Sequence, residues 1–301
     1  MVDVSVVYVN YNTEALICAS VESLYRFTRG VSFEVIVVDN HSREESLNIL
    51  KDRLASFERV RFVPLQENLG FGRANNAAVP FATGDYLFIL NPDTLLLNDA
   101  LSILKNYLED NPAAAACGGN LFDSEMRPAR SFHRLFPSVK GELNSLMLFL
   151  PERIRYGRNR FFNYAGHPIG VAAITGADLM IKKGVVQEMG LFNDKFFMYY
   201  EDMELCCRIR KGGYEIASVP EARIQHLEGR SSSNMGRKAD LVFEGRKCFY
   251  DAVGRSGWSR AVCNALFFLY CCERCVLSLF QGRESYHYWS RMLSDCLGAN
   301  R

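Results

Sequence analysis

The chain has 301 residues, 49% of them hydrophobic, which suits one large α/β domain or one domain with a helical appendage around a sizeable core. Its formal net charge of +1 excludes the broad basic field that nucleic acid binding requires. The ten cysteines are scattered through apolar or helical contexts and read as buried thiols of a reducing compartment. The stretch MVDVSVVYVNYN has no basic flank, carries Asp3, and does not read as a secretory signal.

In chain order, Val4 to Val9 is a β-branched strand, and Asn10-Tyr11-Asn12-Thr13 can turn the chain and cap a helix whose partly apolar face carries Leu16, Ser20, Leu24 and Phe27. Phe33 to Val38 is a second strand ending on Asp39-Asn40. Ser42 is the expected N-cap of a helix striped by Leu47, Leu50, Leu54 and Phe57. A short strand at Val60 to Val63 leads to the loop QENLGFG at 66–72 and a helix from Arg73 to Phe81. Tyr86 to Leu90 is a buried strand stopped by Asn91-Pro92-Asp93, because proline cannot donate to a ladder. A helix from about Asn98 to Glu109 and a small-residue strand at Ala113 to Cys117 follow. Strands alternating with helices imply a mostly parallel sheet, so Asp39, Asn68 and Asp93 should share one rim, the rim where such sheets bind ligands.

From Arg127 to about Gly170 the arginines, aromatics and prolines suggest a long excursion over that rim with short helices. Thr175 to Lys182 is the next buried strand, and Val185 to Met189 a short helix. Glu201 to Lys211 is helical and ends at Gly212-Gly213. Glu215 to Val219 is a strand, and Arg223 to His226 runs on toward a Gly/Ser-rich loop at Gly229 to Gly236. Beyond Lys238 the character is helical. Trp258 to Phe280 is strongly apolar, but Glu273-Arg274 interrupts it and the unbroken part, Ala261 to Cys272, reads as too short for a span. Cys271, Cys272 and Cys275 cluster there without a second group at zinc spacing.

Asp39, Asp93, the Glu201-Asp202 pair and His226 thus gather at one edge. A hard divalent cation prefers carboxylate oxygens, and an imidazole can complete its shell. Glu201-Asp202 follows the aromatic run Phe196 to Tyr200. A helix N-terminus keeps a carboxylate ionised while aromatic walls raise its pKa, a balance that suits a general base. Taken singly, the same residues also read as a strand-ending turn, helix N-terminal acids and a strand histidine.

Together, NYN at 10–12, VVDNHS at 37–42, NLGFGRANN at 68–76, LNPDT at 90–94, and FFMYYEDMELCCRIRKGGY with VPEARIQH resemble the GT-A fold, family 2 inverting glycosyltransferases, in their rhamnosyltransferase-like branch. The resemblance runs in order from about Val4 to Ser232. It implies a GT-A (Rossmann-like) α/β catalytic domain over 1–237, with a nucleotide-sugar half to about 112 and an acceptor half beyond, then a C-terminal helical segment over 238–301. It implies that Asp39 contacts the nucleobase and that Asn10 and Tyr11 line the nucleotide pocket. Arg73 and Asn75 or Asn76 would lie near ribose or phosphates, with Asn68 and Asn91 in the same pocket. Asp93 would hold Mg2+ or Mn2+ through the diphosphate, with His226 as a second contact. Asp202 would deprotonate the acceptor hydroxyl, with Glu201 as its competitor. Three departures stand out: Glu204 in place of a second aspartate, Asn91 in place of a first metal aspartate, and Leu227 where a second histidine is frequent.

The implied reaction transfers a sugar, L-rhamnose from dTDP-rhamnose in this branch, to a saccharide or lipid-linked saccharide in surface polysaccharide synthesis. Two other classes remain open on the residues alone. A different nucleotide-dependent enzyme would want a Gly-rich phosphate loop after the first strand, where this chain has Asn10-Tyr11-Asn12. A non-catalytic nucleotide-sugar-binding protein would not need Asp93 or Asp202. The expected location is the cytoplasm, with the C-terminal helices meeting either the membrane surface or a second subunit. Arg255, Arg260, Arg274, Arg283 and Arg291 would supply charge for the first.

Overall fold

The computed structural model describes residues 2–227, 235–254 and 257–298. Arg255 and positions 229–234 of the expected Gly/Ser-rich loop lie outside the described residues, while Met235 and Gly236 already belong to a helix.

The first half alternates as expected: β1 (Val4–Asn10), α1 (Glu14–Phe27), β2 (Phe33–Asp39), α2 (Glu44–Leu54), β3 (Val60–Pro64), α3 (Phe71–Ala78) and β4 (Tyr86–Leu90). A three-residue strand, β5 (Thr94–Leu96), comes directly after Asp93, then α4 (Ala100–Asp110) and β6 (Ala114–Phe122). The excursion contains β7 (Phe132–His133), α5 (Val139–Leu146), α6 (Leu150–Tyr156) and β8 (Ile169–Gly170). It is followed by β9 (Ala173–Ile174), β10 (Asp178–Lys182), α7 (Lys183–Met189), α8 (Glu201–Lys211) and β11 (Glu215–His226). Helices α9 (Met235–Ala252), α10 (Gly257–Ser278) and α11 (Arg283–Cys296) complete the described chain.

The main sheet runs β3-β2-β1-β4-β10-β6-β11-β5, with β8 added on β11, while β7 and β9 form a separate ribbon. The four strands β3, β2, β1 and β4 are parallel, as their helical crossovers require. The rest is mixed, which corrects the mostly parallel expectation. The chain leaves β6 through the excursion rather than a crossover helix, and β10 enters antiparallel to both β4 and β6. β11 is parallel to β6 but antiparallel to β5. The segments read as Glu215 to Val219 and Arg223 to His226 are one strand, irregular between Ser218 and Arg223, where Pro220 cannot donate to the ladder.

Both faces of this sheet are covered, so β1 is buried along its whole length and reads as a continuous β-branched run. Val7, Ile36 and Ile89 face one core, while Val6, Val37 and Phe88 face the other. Ser42 does not cap α2. Its Oγ accepts from the Asn12 amide and from Asn10 Nδ2, so it ties the first rim loop instead.

The C-terminal helices pack on one another around Ala239, Phe267, Cys271 and Met292. α10 continues unbroken through Glu273 and Arg274, both adequate helix formers. At 22 residues, with a mean hydropathy of 1.4 over its most apolar stretch, it is long and apolar enough to cross a membrane by length and composition. The expectation that this run is too short is therefore corrected. In this fold α10 packs against α5 and α11.

Candidate active site

The rim is built by backbone register. Asn10 ends β1 opposite Asp39 at the end of β2, and Asn10 Nδ2 donates to Asp39 Oδ1 at 2.7 Å. Both side chains are buried, and Asp39 Oδ2 also accepts from the Ser42 amide at 3.3 Å. The next residue carries a role that the sequence reading missed. Asn40 donates to Asn68 Oδ1 at 2.9 Å and accepts from the Leu69 amide at 2.8 Å, fixing the loop before α3. Gly70 has φ +81°, and a Cβ there would collide with the Phe197 carbonyl, which also accepts from the Phe71 amide at 2.8 Å. The glycine loop is thus pressed onto the aromatic run that leads to Glu201.

Asp93 and His226 meet across β5 and β11. Thr94 pairs with His226 in the ladder, and His226 Nε2 lies 3.2 Å from Asp93 Oδ1. Asn91 Nδ2 is 3.5 Å from the same nitrogen. A carboxylate and an imidazole side by side fit a divalent cation whose other ligands are phosphate oxygens and water. Among the described residues no cluster of three His, Cys, Asp or Glu side chains suited to a metal is found. Asp93 and His226 alone would leave most of such a cation's shell to other oxygens.

Tyr199 and Tyr200, at φ 70° and 69°, are consecutive non-glycine residues in the left-handed region, an uncommon and costly arrangement. They turn the chain sharply into α8, so that the first two helical residues face the cleft. Asp202 Oδ2 accepts from the Gly176 amide at 3.0 Å and Oδ1 from the Met203 amide at 2.7 Å. Glu201 is buried, and its Oε2 has no hydrogen-bond partner among the described residues. Burial raises the pKa of both acids, and for Glu201 the neighbouring Asp202 carboxylate adds to it. Glu204 is not part of this pair. It grips Arg208 at 2.8 and 2.9 Å, and Arg208 in turn donates to the carbonyls of Met189 and Leu191. That departure from the usual acid signature is thereby explained as a helix-to-loop brace.

Three cavities line up along the cleft. The first, about 360 Å³, is walled by Tyr11, Asn40, Asn68, Gly70, Asn91 and Asp93, with Arg237 and Lys238 of α9 opposite. The second, about 320 Å³, holds Asp93, His226, Glu201 and Asp202. The third, about 390 Å³, lies between the excursion and the C-terminal helices and is reached past Tyr199, Tyr200 and Asp202. Asp93 borders the first and second cavities, and Asp202 borders the second and third. Glu201 opens only on the second.

Of the residues assigned to the nucleotide, Tyr11, Asn68 and Asn91 line the first cavity, while Asn10 and Asp39 stand behind its wall. Arg73 donates Nε to the Leu69 carbonyl at 2.8 Å and lines none of these three cavities. Asn76 is spent on the loop before α8, bonding Phe192 and Asp194. Arg237 and Lys238 were not foreseen as site residues. Their signal was two adjacent cations in the first turn of a helix, where the dipole disfavours positive charge unless an anion is near.

A model of glycosyl transferase family 2 matches residues 5–168, just over half of the chain. An N-acetylglucosaminyl-diphospho-decaprenol L-rhamnosyltransferase of Mycobacterium tuberculosis is 25% identical over 243 residues, which cover 75% of this chain and 77% of the relative. The dTDP-rhamnosyl transferase RfbF of Shigella flexneri is 24% identical over 75% of this chain and 69% of its own. The rhamnosyltransferase WbbL of Escherichia coli K12 is 26% identical over 56% of this chain and 65% of its own.

Proposed function

The chain belongs to glycosyl transferase family 2, and we propose that it moves L-rhamnose from dTDP-rhamnose to a hydroxyl of a lipid-linked saccharide, inverting the anomeric carbon, as one step in cell-surface polysaccharide synthesis. The donor and acceptor classes follow the names of its rhamnosyltransferase relatives. The observation that carries the mechanism is the order along the cleft: nucleotide-sized cavity, Asp93 with His226, central cavity, Asp202, outer cavity.

In this arrangement Tyr11, Asn40 and Asn68 seat the nucleoside, and Lys238 faces the diphosphate. The sugar occupies the central cavity, and the acceptor enters from the outer one. A divalent cation, Mg2+ or Mn2+, would be held by Asp93 and His226 and would neutralise charge on the diphosphate. Asp202 takes the acceptor proton while the acceptor oxygen attacks the anomeric carbon. The bond from that carbon to the diphosphate oxygen breaks at the opposite side, and its electron pair leaves with the diphosphate. Asp93 and Asp202 both wall the central cavity, Asp93 shared with the first cavity and Asp202 with the outer one, which suits a displacement with donor and acceptor on different sides. In this reading the enzyme works at the cytoplasmic face of the membrane, where a lipid-linked acceptor would present its sugar.

A screen of nucleotide sugars with magnesium or manganese, reading product formation and thermal shift, tests this directly. dTDP-rhamnose should give the largest turnover, and Asp93→Ala should abolish turnover and metal-dependent nucleotide binding while the folded circular-dichroism signal stays. Near-wild-type turnover by Asp93→Ala would refute the site. Binding of nucleotide sugars without any transfer or hydrolysis would leave a binding protein instead.

A further inference from the structure

We propose that the α5–α6 hairpin docks this enzyme on an anionic bilayer, with residues 147–150 dipping into the interface beside the acceptor cavity. The tip of the hairpin is Met147-Leu148-Phe149-Leu150. Leu148 and Phe149 have φ 51° and 61°, a conformation that turns normally give to glycine or asparagine. Phe149 turns inward to Tyr270 and the outer cavity, while Met147, Leu148 and Leu150 are held facing solvent at this strained tip. Met147 is 52% exposed, Leu150 50% and Ile154 77%.

The charge around this tip has one sign. Between 139 and 160 the bases are Lys140, Arg153, Arg155, Arg158 and Arg160, and the acids are Glu142 and Glu152. Both acids are buried. Glu142 accepts from Arg246 and Tyr250, and Glu152 from Asn144. None of the five bases is in an ion pair among the described residues. Four of them are exposed, and Arg160 lies over the Phe149 ring. The surface left to solvent is apolar at the tip and positive around it, which is the pattern of an interfacial anchor.

The C-terminal tail also exposes apolar side chains, Trp258 and Phe280 among them, but part of its positive charge is paired internally. Arg260 pairs with Asp251, Arg291 with Asp240, and Arg274 is stacked on Trp289. Two of the tail arginines, Arg260 and Arg291, are thus paired within the chain, whereas none of the exposed bases around the hairpin tip is so paired among the described residues. The hairpin also borders the outer cavity through Asn144, Phe149 and Glu152. A second, apolar cavity of about 420 Å³, walled by Leu135, Leu143, Met147 and Pro151, adjoins it and suits the hydrocarbon of a membrane-held acceptor.

The use of this contact rests on the lipid-linked acceptor of the proposed function, but the contact itself does not. Flotation with vesicles of phosphatidylcholine alone, or with phosphatidylglycerol added, tests it on the full chain. Binding should rise with phosphatidylglycerol and fall with salt. Leu150→Glu with Ile154→Glu, and separately Arg153→Glu with Arg158→Glu, should each lower it on the order of tenfold or more. Neither pair lines the catalytic cavities, so both variants should keep wild-type thermal stability and wild-type hydrolysis of the donor nucleotide sugar. Wild-type vesicle binding by both variants overturns the proposal. So does a full-length chain that hydrolyses donor yet stays off vesicles, including one that does so as a stable dimer. A chain that binds vesicles through the hairpin but turns over no nucleotide sugar sinks the transferase reading and leaves the docking intact.

Discussion

Asp202 and Glu201 are adjacent and both hard to ionise, yet their surroundings assign them different work. Asp202 has both oxygens engaged by backbone amides and opens on the central and outer cavities. Asp202→Asn should lower turnover on the order of 10²–10⁴-fold and leave donor affinity within a few-fold. Its raised pKa places the rising limb of the wild-type rate profile above the usual carboxylate range, and that limb should be missing in the variant. Glu201 is buried, its Oε2 unpartnered among the described residues, and of the three cleft cavities it opens on the central one. A carboxyl whose folded pKa is raised favours the fold while protonated. That contribution is fully present below the unfolded value and is lost as pH rises through the folded one. Glu201→Gln should therefore raise the melting temperature more at pH 9 than at pH 5, by roughly 2–4 °C for each kcal/mol relieved. A melting temperature that falls equally at both values would show that the carboxylate is paired in the fold.

At the scale of elements, the glycine loop before α3 is held by contacts that tolerate no side chain. Gly70→Ala must adopt a left-handed conformation and displace the Phe197 carbonyl, so it should cost about 1–3 kcal/mol in denaturant unfolding. It should also weaken nucleotide binding, because the loop forms a wall of the first cavity. This loop was legible as a loop, and β1 to β4 as strands, because two-sided burial writes continuous apolar runs and turns write glycine and proline. Asp93, Asp202 and His226, singled out in the sequence by motif and position, come together around one cavity. β5 was not legible, since three residues carry no periodicity and Thr94 to Leu96 is a strand only because β11 lies beside it. The mixed order of the sheet was hidden for the same reason: nothing in Asp178 to Lys182 says which way its neighbours run. The Arg73 and Asn76 assignments followed the motif, while in the structure Arg73 bonds the nearby Leu69 carbonyl and Asn76 bonds Phe192 and Asp194 of the distant loop before α8.

Across the whole molecule, the C-terminal helices are bound to the elements that wall the cleft. Gly245 of α9 sits against the Tyr199 carbonyl, and Arg246 reaches Glu142 of α5 at 3.0 Å in a buried pair that also engages Tyr250, Asn264 and the Cys263 carbonyl. Arg246→Ala strands the Glu142 carboxylate away from water and should cost about 3–5 kcal/mol in chemical unfolding, whereas a loss under 1 kcal/mol would mean that the pair is solvated. The position of β11 has a further consequence, for the order in which the protein is made. It is the last described strand, yet it lies between β6 and β5 rather than at an edge. A ribosome delivers it only after all its neighbours, so the nascent chain must hold β6 with an unpaired side and β5 with no partner at all. Asp93 acquires its histidine at the moment this strand slots in. Until then the growing polypeptide offers an open strand edge to every other nascent copy, and synthesis of this enzyme is most exposed to misassembly in the interval between residues 122 and 226.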